Sequence, residues 1–207
     1  MCKNPKIKTL KEISVNKNNI KIIDDIIKYI NINLNIDLYK EYNNIKELDL
    51  KKCKSFYKQT IKRLFNLIER HTMKENLLLK EMKKGQEILN LKKAATVKSP
   101  SISDGIFSSK PGNSQEKILI SICNEQEEQS KRTKRYDDYV EKNKEEKKLI
   151  QSFIELSPYT TGVEIAIRHY ILGEKFCDIA ENLCYSNART PSENVLDDLA
   201  LILYLSL

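Results

Sequence analysis

Residues 162–207, GVEIAIRHYILGEKFCDIAENLCYSNARTPSENVLDDLALILYLSL, decide the fold. Three apolar faces follow one another here at helical spacing. Val163, Ile167, Tyr170 and Ile171 form the first, and Gly173 stands where a glycine closes a helix in the left-handed conformation. Phe176, Ile179, Ala180 and Leu183 form the second, with Ala180 small where two helices cross closely. Tyr185-Ser186 then supplies a turn and a candidate N-cap. The third helix is expected from Ser192 or Glu193, with Pro191 near its first turn, and carries Leu196, Leu199, Ala200, Ile202 and Leu203. Pro158, preceded by Ser157, breaks the chain ahead of this unit.

Toward the N-terminus, residues 115–156 place Leu119, Ile122, Gln126, Gln129, Thr133, Tyr136, Val140, Asn143, Lys147, Ile150 and Ile154 at alternating steps of three and four. That is coiled-coil spacing, with several polar seam positions that weaken the pairing or set its register. Residues 96–114, TVKSPSISDGIFSSKPGNS, interrupt the helical pattern with Pro100, Gly105, Pro111 and Gly112 and read as a linker. Residues 38–95 read as one or two long helices with Phe56, Ile61, Leu64, Phe65, Leu67, Ile68, Leu78, Met82 and Leu89 along a seam and a bend near His71-Thr72. Two antiparallel long helices, one on each side of the linker, would bury each other's seams. A homodimer through the same seam is the competing arrangement. In residues 17–33, Ile20, Ile23, Ile27 and Ile30 mark one helix face, followed by a loop, and residues 1–16 read as a polar basic arm. The expected class is all-α, with a basic helical region (1–74), a long helical hairpin or coiled coil (75–157) and a small helix-turn-helix unit (158–207).

Composition agrees with this class. The 207 residues hold 5 Gly, 5 Pro and no Trp, and few helix breakers disfavour a β-sandwich. No run of eighteen apolar residues would span a membrane. The start of the chain lacks the apolar core of a signal peptide, so a cytoplasmic protein is expected. Cys2, Cys53, Cys123, Cys177 and Cys184 are odd in number and scattered, with no Cys-x-x-Cys, and read as reduced thiols. No metal set and no cofactor motif is expected. The net charge of +7 is unevenly placed: residues 1–98 hold 23 Lys+Arg against 11 Asp+Glu, and residues 99–207 hold 13 against 18. The basic half suits a phosphate backbone through counterion release, or simply a set of solvated helix faces. Cys177 and His169 are a tempting thiol–imidazole pair, but a packing cysteine and a surface histidine are the plainer reading, so an enzyme is not expected.

The order Arg168-His169-Tyr170-Ile171-Leu172-Gly173, then Phe176, Asp178-Ile179-Ala180, Leu183, Tyr185-Ser186 and Ala200-Leu201 resembles a family of phage and prophage proteins whose C-terminus is like the helix-turn-helix of sigma factor region four, the ArpU-like late transcription regulators. The resemblance covers about residues 75–207. It implies a phage-type transcriptional regulator with duplex DNA, RNA polymerase or both as partners, in which the segment after Tyr185-Ser186 reads DNA through Asn187, Arg189, Thr190, Ser192 and Asn194. The family carries basic residues in that segment. Here residues 157–207 hold three Lys+Arg against seven Asp+Glu, and Asp197 and Asp198 would repel a backbone they faced. A DNA grip therefore has to borrow charge from the basic N-terminal half or from a dimer partner. The alternative is a helical interaction or assembly module whose degenerate helix-turn-helix binds no DNA.

Overall fold

A computed structural model of the chain describes residues 5–45, 50–97 and 112–207. Every regular element among them is helical: α1 Pro5–Ser14, α2 Lys17–Leu34, α3 Leu38–Ile45, α4 Leu50–Val97, α5 Gly112–Ile154, α6 Thr160–Ala166, a π turn Ile167–Ile171, α7 Phe176–Asn182 and α8 Arg189–Ser206. The protein is all-α, the class expected from its sequence. No described helix is long and apolar enough to cross a membrane. Most of the expected linker, residues 98–111, lies outside the described residues, as do residues 1–4 of the expected arm. α4 continues to Val97 and α5 starts at Gly112, so each helix runs into the stretch read as linker.

The chain divides into two compact units that differ from the expected boundaries: Met1–Met73 joined with Asn143–Leu207, and Lys74–Lys142. In the first, the C-terminal helices share one core with the N-terminal ones. Leu10 of α1, Ile23, Ile26, Ile27 and Ile30 of α2, Tyr57, Ile61, Leu64, Phe65 and Ile68 of α4, Phe153 of α5 and Val195, Leu196, Leu199 and Leu203 of α8 belong to a single cluster. Residues 5–14 are therefore not a free arm. Leu10 is fully buried and Ile13 packs beside it, which is enough to seat α1 on α8. In α2 the buried stripe uses Ile26 instead of Ile20, which is exposed. Asn35 closes α2 in the left-handed conformation that asparagine tolerates (φ 53°). α4 passes through His71-Thr72 without a break.

The second unit pairs the later part of α4 with the earlier part of α5, antiparallel. Lys92 bonds Glu125, Gln129 Nε2 donates to the Met82 carbonyl at 3.0 Å, and the Lys74 ammonium lies 4.7 Å from the Tyr139 ring centre. Of the coiled-coil positions in this unit, Ile122 and Gln129 are buried, while Leu119 and Gln126 are exposed. Gly85 leaves room for the Gln129 and Arg132 side chains, so the polar seam fixes the local register by shape as well as by hydrogen bonding.

Candidate nucleic-acid interface

The C-terminal helices are set by two unlike helix ends. The first comes after the π turn, where the Leu172 N–H donates to the Ile167 carbonyl. Gly173 then takes φ 76°, and the Glu174 N–H turns back to the Arg168 carbonyl. This is the glycine closure expected from the sequence, widened by the extra residue of the π turn. The Tyr170 and Ile171 carbonyls are left without helical partners, and Thr72 of α4, buried, donates its hydroxyl toward them at 3.3 and 3.4 Å. The second end closes α7. The Cys184 N–H bonds the Glu181 carbonyl and the Tyr185 N–H bonds the Ala180 carbonyl, a complete Schellman motif with Cys184 at φ 54°. No glycine announces this end in the sequence.

Between these ends sits an aromatic stack. His169 Nδ1 lies 2.8 Å from the Glu174 carbonyl oxygen. A carbonyl can only accept, so Nδ1 carries the hydrogen and Nε2 faces Glu69 at 3.8 Å. The imidazole stacks on Phe176 with centroids 3.7 Å apart, and the Arg189 guanidinium lies over the Phe176 ring at 5.8 Å. Tyr170 packs against Phe65 of α4, and burial pushes its phenol above the ordinary tyrosine range. Cys177 donates to Asp178 Oδ1, while His169 engages Glu174, Glu69 and Phe176. No thiol–imidazole contact joins the two among the described residues.

α8 begins at Arg189, three or four residues before the expected Ser192 or Glu193. Asn187 Oδ1 accepts the Arg189 N–H at 2.8 Å, and Pro191 falls within the first turn, where its missing N–H costs nothing. The earlier start changes which residues face out. Arg189, Thr190 and Asn194 are exposed, and Asn187 is exposed beside them. Ser192 is 2% exposed and lies beside the Tyr170 phenol, so of the expected set it is the one held in the wall of the cleft and not on the open surface.

The two aspartates also take places that the sequence did not show. Asp198 is buried and accepts the Ser157 hydroxyl at 3.0 Å, tying α8 to the turn after α5. Asp197 and Glu193 meet a row of lysines one turn apart on α4. Lys58 lies 2.9 Å from both carboxylates, Lys62 2.8 Å from Glu193, and Lys54 3.7 Å from Asp197. Burial works against the Glu193 carboxylate, but Lys62 and Lys58 outweigh it and hold its pKa below the ordinary range. Burial likewise works against the Lys58 ammonium, and the bonds from Asp197 and Glu193 hold its pKa above the ordinary lysine value.

An open cleft of about 340 Å³ joins these parts, lined among others by Lys62, Asn66, His169, Phe176, Arg189 and Glu193. Sequence reasoning missed the α4 lysines, His169 and Phe176 as part of this site. The lysine row was visible as an i, i+4 series, but nothing in the sequence joins it to carboxylates more than 130 residues later. No group of three or more His, Cys, Asp or Glu among the described residues could hold a metal ion. No family model, no curated protein and no solved structure matches this chain.

Proposed function

We propose that the protein is a transcriptional regulator of the phage type that binds duplex DNA, with the first turns of α8 as its reading element. One observation carries this reading. Lysines of α4 neutralise the acids of α8, while Arg189, Thr190 and Asn194 stay exposed at its N-terminal end. An arginine and an asparagine are the side chains that pair bidentately with guanine and adenine edges. The stack on Phe176 orients Arg189 in advance. Burial of the opposite face of α8 is what a three-helix unit demands of any reading helix, so it accords with the role. RNA polymerase is the protein partner that such a regulator would engage.

The test is selection of the full chain against a random-sequence duplex pool, followed by anisotropy titration of the enriched site at several salt concentrations. A single enriched site and affinity falling steeply with salt are expected. Arg189→Ala and Asn194→Ala should each cost about 1–3 kcal/mol at one base position and relax preference there. No enrichment, with no salt-dependent binding, would dispose of the reading.

The second reading is an assembly module, favoured by exposed Leu77, Leu91 and Leu119 in the Lys74–Lys142 unit. Sedimentation equilibrium distinguishes it: a dimer abolished by Leu91→Asp and Leu119→Asp, without DNA binding, is its signature.

A further inference from the structure

α4 carries two cationic rows with different fates. Lys54, Lys58 and Lys62 are bound by Glu193 and Asp197. The other row is solvent-facing: between Lys52 and Arg70 the exposed residues of α4 are Lys52, Ser55, Gln59, Arg63, Asn66 and Arg70. Their steps of three and four put them on one face. The row holds three cations, two amides and one hydroxyl, and no acid and no apolar side chain. None of Lys52, Arg63 and Arg70 forms an ion pair with a described residue, whereas one face away Lys58 meets two carboxylates and Lys54 and Lys62 meet one each.

We infer that this face of α4 is a second contact surface of the protein, one that follows the phosphate backbone of a nucleic-acid duplex without reading its sequence. The inference rests on the DNA reading above and deepens it. A helix rises about 1.5 Å per residue, so the row runs straight for about 27 Å. A duplex presents one charge per about 1.7 Å of axis, so a straight cationic row of that length finds phosphates along its whole span. Arginine, lysine, asparagine, glutamine and serine are the side chains that bond phosphate oxygens. An anionic membrane is the other polyanion to weigh. Helices that lie on membranes place large apolar residues beside their cations, and this row has none over six positions. Asn66 belongs both to the row and to the cleft that contains Arg189, so the two surfaces adjoin. Backbone contacts along α4 would set the register in which α8 meets the groove.

The experiment uses the full chain with a fluorescent duplex of mixed sequence, and the variant Lys52→Gln/Arg63→Gln/Arg70→Gln. Each phosphate contact contributes about 0.9 to the slope of log K against log salt, so the variant should lower that slope by about 2.7. The preference for an enriched site over mixed sequence should stay within about twofold of wild type. In parallel, Arg189→Ala/Asn194→Ala should lose preference and keep most of the slope. A wild-type slope in the triple variant overturns the α4 surface and leaves the α8 reading standing. Absence of duplex binding by the unaltered chain removes the α8 reading and this one together. Tight binding to vesicles of phosphatidylserine and phosphatidylcholine, without duplex binding and lost in the triple variant, overturns the choice of nucleic acid. Circular dichroism on each variant shows whether a loss is one of folding.

Discussion

Replacing Glu193 and Asp197 together, as Glu193→Gln/Asp197→Asn, should move stability and polyanion affinity in opposite directions. The two carboxylates make four ion pairs with Lys54, Lys58 and Lys62. The side chains involved keep roughly a quarter to two-fifths of their exposure, so solvent screens each pair. Exposed pairs contribute about 0–1 kcal/mol each, and neutral amides retain part of the hydrogen bonding. A loss of about 1–2 kcal/mol follows, or roughly 3–6 °C in Tm. The sign of the pH dependence is set by both partners. The Glu193 pKa is lowered on folding, so its contribution is complete above the ordinary carboxylate range and disappears as pH falls through the folded value. The Lys58 pKa is raised, so its contribution is complete below the ordinary lysine value and disappears as pH rises through the folded one. The stability difference between wild type and the double variant should be flat around neutrality and shrink on acidification. Meanwhile three lysines lose their intramolecular partners. Each one that reaches a phosphate adds about 0.9 to the salt slope, to a limit of about 2.7. Urea titrations across pH and anisotropy across salt measure both halves. Unchanged stability would show that the clasp does not hold in solution. Reduced stability with unchanged DNA affinity would mean that the lysine row faces away from the nucleic acid.

Three further substitutions probe the scaffold of the site. Thr72→Val keeps the shape of a buried side chain and removes the donor to the Tyr170 and Ile171 carbonyls, so urea unfolding should show a loss of about 1–2 kcal/mol; no change would mean that water already serves those carbonyls. Gly162→Ala would put a Cβ 2.6 Å from the Pro191 carbonyl oxygen and 2.7 Å from Val195 Cγ2, where overpacking of about 1–3 kcal/mol outweighs the gain in helix propensity of up to about 1. A higher Tm for that variant would contradict the close crossing of α6 and α8. Cys184→Gly removes the steric penalty of a left-handed non-glycine residue and should raise stability by about 1 kcal/mol in equilibrium unfolding, whereas a decrease would argue against the φ of 54°.

Where the sequence could be read and where it could not has physical causes. Ile23, Ile27 and Ile30, the glycine closure at Gly173 and the apolar faces of α7 and α8 depend on local periodicity, and all were legible. The register of α8 was not, because Ser192 and Glu193 resemble a helix start as much as Asn187 does. Starting the helix at Arg189 turns Ser192 inward and Thr190 outward. The closure at Cys184 was hidden because glycine, the usual marker, is missing. α1 was hidden because Leu10 and Ile13 stand among polar residues, and α8, with α2 beside it, gives them something to cover only in the folded chain. The pairing of α4 lysines with α8 acids is a tertiary fact that no spacing along the chain encodes.

The acids of α8 make better sense once their angular positions are considered. At about 100° per residue, the buried residues Pro191, Ser192, Val195, Leu196, Asp198, Leu199, Ala200, Ile202 and Leu203 occupy roughly 200° of the helix circumference. Glu193 and Asp197 lie at one margin of that arc, where α4 meets them. Thr190 and Asn194 lie beyond, in the narrow sector left open, and Arg189 stands at the helix entrance over Phe176. A carboxylate in the open sector would repel a phosphate backbone; at the margin it draws three lysines to the edge of that sector instead. On the proposed reading, an acidic C-terminal segment and a DNA-facing helix are compatible because α4 belongs to the same unit and pairs with the acids. The acids of α8 and the lysines of α4 form one surface of mixed charge, and neither half of the sequence, taken separately, contains it.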